Sequence, residues 1–141
     1  MVFIKLVCVD DDPDDRDLIR RSLAKVGADN SIVLESSCAL LNFLGPLTEK
    51  DLPGAIVLDL NMPEMDGLQI LKHLKSVEDY QQIPIYILTT SSGSDVKQQC
   101  IREGAAGFYT KPSSVAEMDA LLNEIYNTVW VKITGKPRCR N

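Results

Sequence analysis

Short apolar runs alternate along the chain with segments in which hydrophobic residues recur every three or four positions. The first run covers residues 2 to 9 and is rich in Val and Ile, and a helical pattern begins at Pro13. An apolar run of this kind predicts a strand buried on both faces, whereas the helical spacing predicts an amphipathic helix. Asp12 is placed to cap that helix and Gly27 to end it.

The same alternation continues almost to the end of the chain. Further strands are predicted at Ile32–Leu34, Ala55–Leu58, Ile85–Leu88 and Gly107–Thr110, and further helices at Ala39–Leu44, Gly67–Lys75, Asp95–Glu103 and Val115–Val129. Asp66 with Gln69 and Ser114 with Glu117 have the spacing of capping pairs. Because parallel strands are joined by crossover helices, this order predicts a doubly wound α/β fold with a parallel sheet.

Two segments do not fit the strand and helix pattern. Residues 45 to 54, GPLTEKDLPG, predict a polar loop that is longer than most connections in α/β units. The tail from Trp130 shows no periodic pattern of its own. We therefore expect one domain over residues 1 to 129 and a C-terminal extension over residues 130 to 141, with both segments as candidate contact surfaces.

Composition narrows the classes of function. The chain has 141 residues, 45% hydrophobic and 25% charged, which is typical of one soluble domain. A net charge of −5 argues against nonspecific binding to nucleic acid, which depends on Lys and Arg. No apolar run approaches the roughly 20 residues of a membrane span, and no secretory signal is evident, so we expect a cytoplasmic protein. The four cysteines form no CxxC motif, and His73, the single histidine, excludes a multi-histidine metal site.

Polar residues stand at the ends of the predicted strands. Asp10 and Asp11 follow the first strand, Asp59 follows the third, Thr89 ends the fourth, and Lys111 follows the fifth. Ligands of open parallel sheets bind beyond the carboxyl ends of the strands, so these side chains are expected at one edge.

Such an edge favours a divalent cation and a phosphoryl group. Carboxylates a few Å apart repel one another by about 4 kcal/mol per pair at an effective dielectric constant of 20. Oxygen ligands without His or Cys are typical of Mg²⁺, with Mn²⁺ as an alternative. The Lys111 ammonium and the Thr89 hydroxyl can bond phosphate oxygens, and Asp59 can act as the nucleophile that forms an acyl phosphate.

Four ordered motifs carry a resemblance to a known family. These are VDDD at residues 9 to 12, DLNMPEMDG at residues 59 to 67, Thr89, and the Lys111-Pro112 pair. Together they resemble the receiver domain of two-component response regulators, over about residues 3 to 129, and most closely its stand-alone, single-domain type. The resemblance implies a flavodoxin-like (βα)₅ fold with strand order 2-1-3-4-5.

The resemblance also implies roles for individual residues. Asp59 corresponds to the phosphorylated residue. Asp10, Asp11, Asp59 and the backbone carbonyl of Asn61 correspond to the Mg²⁺ ligands. Lys111 corresponds to the phosphate-contacting lysine, with a cis bond to Pro112, and Thr89 and Phe108 to the switch pair. Receivers commonly carry Tyr at the position of Phe108. The residue after the switch threonine, here Thr90, is commonly smaller. Asn61 and Ser91 match positions that tune the lifetime of the phosphoryl group.

The implied function is that of a phosphoacceptor. Such a module takes its phosphoryl group from a sensor histidine kinase, here with a phytochrome-type kinase among the candidate donors, and can catalyse its own phosphorylation and dephosphorylation without being an enzyme for other substrates. The expected output is contact with a downstream protein or phosphotransfer protein, not with nucleic acid or membrane, and a homodimer is left open. Two rivals stand beside it: a small phosphohydrolase with an aspartate nucleophile, suggested by the Asp10 and Asp12 spacing, and a docking module with an inert pocket.

Overall fold

The computed structural model describes residues 5–28, 30–90 and 93–138, and it has five strands and five main helices there. The strands are β1 Leu6–Val9, β2 Ile32–Leu34, β3 Ala55–Leu58, β4 Ile85–Thr89 and β5 Gly107–Thr110. The helices are α1 Pro13–Lys25, α2 Ser37–Leu44, α3 Gly67–Ser76, α4 Ser94–Arg102 and α5 Val115–Thr134. Strand and helix alternate throughout, as the pattern of apolar positions predicts. No helix of the described ranges has the length and apolarity that crossing a bilayer requires.

All five strands are parallel and form one sheet in the order β2-β1-β3-β4-β5. The central strands β1 and β3 are buried along their whole length, which explains why both are continuous apolar runs. In the shared register Val9 pairs with Leu58, so the two strands end side by side. The residues that follow them, Asp10 and Asp59, are therefore neighbours.

The sheet separates two hydrophobic cores. Successive side chains of a strand point to opposite faces, so Leu6 and Cys8 enter one core and Val7 and Val9 enter the other. Residues of α1 and α5 cover the first core, and residues of α2, α3 and α4 cover the second. Both faces of the sheet are therefore covered, and the carboxyl ends of the strands remain open to ligands.

Side-chain caps fix the starts of four helices, α1, α2, α3 and α5. The Asp12 carboxylate accepts hydrogen bonds from the backbone N–H groups of Asp14 and Asp15 at 2.8 and 3.4 Å. Asp66 and Gln69 form a complete capping box at α3, with both bonds at 2.9 Å. These bonds satisfy backbone donors that the first helical turn leaves without partners, and they confirm the predicted helix starts.

Helix α5 continues five residues beyond the predicted end at Val129. Trp130 packs against the first core and its ring lies 6.3 Å from that of Tyr126, which extends the buried face by one turn. Exposed Val131 and Ile133 hide this continuation from a search for amphipathic spacing. Gly135, with φ of 72°, ends the helix in the left-handed conformation that glycine favours.

The two irregular segments are anchored to the domain. The loop over residues 45 to 54 contains one 3₁₀ turn, Glu49–Asp51, and its Leu47 and Leu52 pack against the second core. In the tail, the guanidinium of Arg138 lies 4.5 Å from the ring centroid of Tyr126 and donates to Asn127 Oδ1 at 3.1 Å. The described part of the tail thus folds back onto α5.

Candidate functional site

Four of the predicted site residues meet at the carboxyl edge of the sheet. Asp10 and Asp59 immediately follow β1 and β3, Thr89 is the last residue of β4, and Lys111 follows β5. Asp10, Asp59 and Thr89 are buried, with exposed fractions of 1%, 4% and 0%. Buried polar groups are costly unless they have partners, so the hydrogen bonds of this edge decide what it can bind.

The Lys111 ammonium lies among carboxylates. Its Nζ is 2.8 Å from Oδ2 of Asp10 and 3.1 Å from Oδ2 of Asp59. The other oxygens of these carboxylates accept backbone hydrogen bonds, Asp10 from Asp12 at 2.9 Å and Asp59 from Asn61 at 3.1 Å. Both carboxylates are therefore held in fixed orientations at the ends of neighbouring strands.

The pKa values of Asp10 and Lys111 are both raised. This disfavours the charged form of Asp10 and favours the charged form of Lys111. Burial raises the pKa of Asp10, against the opposing effects of the Lys111 ammonium and the Asp12 N–H, because a carboxylate is disfavoured away from water. Burial alone would lower the pKa of Lys111, but its bonds to carboxylates outweigh this and the pKa is raised. The lysine is therefore fully charged at neutral pH. Any further positive charge nearby would stabilise the ionised form of Asp10.

Three carboxylates form a group that fits a divalent cation. Asp10, Asp11 and Asp59 each offer an oxygen, and these oxygens all lie within 4.8 Å of one another. Asp11 is exposed, whereas the other two are buried, so the group opens to solvent on one side. A hard cation with several bound waters suits such a half-open set of oxygen donors.

The loop after β3 is held tightly against the end of that strand. A Cβ atom at Gly67 would lie 2.4 Å from the carbonyl oxygen of Asp59 and 2.8 Å from Cα of Leu60, so only glycine fits there. The Gly67 N–H donates to the Leu60 carbonyl at 3.1 Å. From the other side, Ser37 Oγ donates to the Met65 carbonyl at 2.7 Å. These contacts fix the backbone that carries Asp59 and Asn61.

The side chain of Asn61 reaches the end of β4. Its Nδ2 lies 3.3 Å from Oγ1 of Thr89 and 3.4 Å from Oγ1 of Thr90. The buried hydroxyl of Thr89 is thus in contact with the loop that follows the candidate phosphoacceptor.

Comparison with known proteins identifies the family. The model of the response regulator receiver domain matches residues 6–123 of this chain. The protein is a receiver. A chemotaxis protein CheY homolog of Campylobacter jejuni is 26% identical over 125 residues, which cover 89% of this chain and 94% of that protein.

Solved structures agree with the fold. The phosphorylated cyanobacterial phytochrome response regulator RcpA has a TM-score of 0.81 and 24% identity, over 93% of this chain and 96% of its own. The Mn²⁺-bound form of response regulator Rcp1 has a TM-score of 0.77 and 25% identity, over 96% and 99%. The predicted family and the predicted strand order are both confirmed.

One predicted feature of the receiver is wrong. The Lys111–Pro112 peptide bond is trans, and no cis peptide bond occurs in the described residues. The trans form of a bond before proline is favoured by only about 0.5–1 kcal/mol, so either isomer is accessible in principle. With the trans bond, Lys111 already reaches Asp10 and Asp59, so the ion pairs of the site do not require the cis form.

The structure does not test the roles predicted for Phe108, the Asn61 carbonyl and Ser91. Phe108 is half-buried and packs against the second core, so its switch role stays a prediction. The same holds for the metal-binding role of the Asn61 carbonyl. Ser91 lies outside the described residues.

Asp15 is a site residue that the sequence pattern did not single out. Its Oδ2 lies 2.8 Å from the Lys111 Nζ, as close as that of Asp10. Asp15 lies in the first turn of α1, where an acid interacts favourably with the helix dipole and so has a local explanation. The available signal was its position, because the first turn of α1 begins at the same edge of the sheet as Lys111.

Proposed function

We propose that Asp59 accepts a phosphoryl group from a phosphohistidine of a sensor histidine kinase in a reaction that depends on Mg²⁺. The phosphoacceptor role is general to receivers, and this chain belongs to that family. The single observation that carries the assignment to Asp59 is its setting. Asp59 is a buried carboxylate at the end of a central strand, oriented by Lys111 and by the Asn61 N–H.

The proposed step is a direct transfer. An oxygen of the Asp59 carboxylate forms a bond to phosphorus, the bond between phosphorus and the histidine nitrogen breaks, and that nitrogen keeps the electron pair. The product is an acyl phosphate on Asp59. Phosphoryl transfer asks mainly for positioning and for neutralisation of charge, and the pocket supplies both through fixed carboxylate orientation and the Lys111 ammonium.

Asp10, Asp11 and Asp59 would hold the metal. Their oxygens lie close enough together for one ion, and burial disfavours the charged form of Asp10 when no cation offsets it. When bound, Mg²⁺ would neutralise negative charge on the phosphoryl oxygens. Rcp1 was solved in a Mn²⁺-bound form, which supports divalent-cation binding in this fold, and we propose Mg²⁺ as the physiological ion with Mn²⁺ able to replace it.

The readout is proposed to be a change of protein-binding surface. A phosphoryl group adds a charge of about −1.5 to −2 at the end of β3. The Thr89 hydroxyl can donate a hydrogen bond to it, and a movement of Oγ1 towards the phosphoryl group would lengthen the contact in which it accepts from Asn61. Phe108 on the neighbouring strand β5 would then take a different packing position, so that α4, β5 and α5 present a changed face.

The proposed partners are proteins. We propose a sensor histidine kinase as donor, with phytochrome-type kinases among the first to test, because one similar structure is RcpA, which is named as a phytochrome response regulator. A downstream protein or phosphotransfer protein would receive the signal in the cytoplasm. The net charge of −5 favours protein contact over nucleic-acid contact.

The test is phosphorylation of the purified protein with a small acyl phosphate and Mg²⁺, followed by intact mass measurement. Wild type should gain one phosphoryl group, Asp59→Asn should gain none, and Asp79→Asn, which changes an exposed aspartate away from the site, should behave like wild type. Equal labelling of Asp59→Asn would end the assignment. Turnover of phosphate esters that is lost in Asp10→Asn but kept in Asp59→Asn would support a phosphohydrolase instead. Transfer rates from a panel of sensor kinases would then identify the donor.

A further inference from the structure

A carboxylate outside the candidate metal group also holds the Lys111 ammonium. Asp15, in the first turn of α1, places Oδ2 2.8 Å from Nζ. Its side chain is 31% exposed, against 2% for Asp10 and 4% for Asp59. Asp15 is therefore the partner of Lys111 that solvent can reach most easily.

The position of Asp15 is built into the start of the helix. Asp12 caps α1 and accepts a bond from the Asp15 N–H. Arg16, the next residue, donates from Nη1 to the backbone carbonyl of Asp10 at 3.0 Å. The first turn of α1 is thus tied to the end of β1, which brings the Asp15 side chain over the pocket.

All three donors of the lysine are matched by carboxylate oxygens. An ammonium has three N–H groups, and Nζ lies within 2.8 Å of Asp10 and Asp15 and within 3.1 Å of Asp59. A phosphoryl oxygen can bond this ammonium only if one of the three carboxylates gives way. Asp10 and Asp59 are also members of the metal group, and Asp15 is not. Asp15 is therefore the contact that an incoming phosphoryl group can displace at least cost to the rest of the site.

We propose that Asp15 is a positioning residue that holds Lys111 before transfer and competes with the incoming phosphoryl oxygens for it. The inference rests on the proposed function of Asp59 and adds a residue that sets how readily the site accepts an anion. The competition has a second component. The Asp15 and Asp59 oxygens share one ammonium, at 2.8 and 3.1 Å, so they lie within about 6 Å of one another, and Asp15 repels any anion that approaches Asp59.

The test compares Asp15→Asn with Asp14→Asn. Both substitutions remove one negative charge from the first turn of α1, but Asp14 is exposed and has no contact with Lys111 among the described interactions. The measurement is the initial rate of adduct formation as a function of acetyl phosphate concentration, with Mg²⁺ saturating for each variant. For Asp15→Asn the half-saturating concentration should fall by about 3- to 10-fold, as expected for removal of one charge about 6 Å from an anion in a partly solvated pocket. The maximal rate should change much less.

Two further variants and the wild type separate the possible outcomes. Asp15→Glu keeps the charge and should return the half-saturating concentration towards the wild-type value, whereas Asp14→Asn should stay close to wild type. If Asp15→Asn behaves like Asp14→Asn, or binds the donor more weakly than wild type, the competition is overturned while the role of Asp59 stands. If wild type gains no adduct on Asp59, the proposed function and this inference both fail.

Discussion

The amide nitrogen of Asn61 lies 3.3 Å from the hydroxyl oxygen of Thr89, joining the loop after β3 to the end of β4. Thr89 is fully buried, so water cannot replace a hydrogen-bond partner that its hydroxyl loses. A movement that carries Oγ1 away from Asn61 towards a group on Asp59 would lengthen this contact, in which the hydroxyl accepts from the amide.

Removal of the Asn61 amide should favour the phosphorylated state. We expect Asn61→Ala to bind beryllium fluoride, a phosphoryl mimic, about 2- to 10-fold more tightly in the presence of Mg²⁺, because a neutral hydrogen bond contributes about 0.5–1.5 kcal/mol to the state that has it. Calorimetric titration gives the affinity. The same substitution in a Thr89→Ala background should have no such effect, since the contact is already absent. Equal effects in both backgrounds would show that Asn61 acts without Thr89.

The ionised Asp10 carboxylate should destabilise the metal-free protein, although it is needed as a metal ligand. Asp10→Asn removes a buried carboxylate whose pKa burial raises, and Lys111 keeps Asp15 and Asp59 as partners. We expect metal-free Asp10→Asn to be more stable than wild type by about 0.5–2 kcal/mol at pH 7, as is common when a strained functional charge is neutralised.

Urea unfolding with and without Mg²⁺ measures both parts of the Asp10 prediction. Mg²⁺ should raise the free energy of unfolding of wild type, because a ligand of the folded state stabilises it by mass action, and should have little effect on Asp10→Asn. Asp79→Asn is the matched control and should respond to Mg²⁺ like wild type. An equal response of Asp10→Asn to Mg²⁺ would exclude Asp10 as a ligand.

Gly67 is expected to tolerate no side chain. In Gly67→Ala the new methyl group would meet backbone atoms of Asp59 and Leu60, which cannot move without shifting the end of β3. We expect a loss of about 1–3 kcal/mol in the free energy of unfolding, together with slower phosphorylation. Gly93→Ala is the control, because its nearest contact would be Val96 Cγ2 at an ordinary 3.9 Å. A stable and fully active Gly67→Ala would contradict the close approach.

The contact between α1 and α5 should depend on pH. A hydrogen bond from Ser22 lowers the pKa of Asp119; partial desolvation opposes this, and Lys25 adds to the lowering. Because the folded-state pKa lies below the ordinary value of 3.8, the contribution to stability is present above that value and is lost as pH falls through the folded-state pKa.

Thermal unfolding across a range of pH tests the Asp119 contact. Asp119→Asn should unfold at a lower temperature than wild type at pH 7, and the difference should shrink below about pH 4 as the wild-type carboxyl gains a proton. Asp17→Asn, which removes an exposed ion pair with Arg21, should have a much smaller effect. A difference that stays constant down to low pH would mean that the charge of Asp119 plays no part.

Most of the architecture could be predicted because local signals agree with the fold. β2, β3 and β5 occupy the predicted residues, since each is a short apolar or aromatic run between turn signals. Capping residues such as Asp12 and Ser114 place helix starts closely because their side chains bond only nearby backbone. Long-range contacts are less visible. The last turn of α5 depends on packing of Trp130, and exposed Val131 and Ile133 obscure its periodicity.

The site could be predicted only in part, for a similar reason. Asp10, Asp59 and Lys111 could be brought together from the rule that parallel strands end at one edge. Asp15 could not, because an acid in the first turn of a helix has a sufficient local explanation and only the three-dimensional structure shows its contact with Lys111. The isomer of the Lys111–Pro112 bond was predicted wrongly, since the small energy difference between the two forms leaves sequence with little to decide on.

The cation that balances Asp10 and Asp59 belongs to Lys111, the residue directly after β5, which is an edge strand of the described sheet and pairs with β4. Edge strands open more readily than central ones, and each opening of β5 would draw Lys111 away and leave two buried carboxylates without their counter-charge. Fraying at the rim of the sheet and the charge state of the pocket are therefore linked. Amide hydrogen exchange along Gly107–Thr110 should consequently report on the occupancy of a pocket whose acidic residues belong to strands in the middle of the sheet.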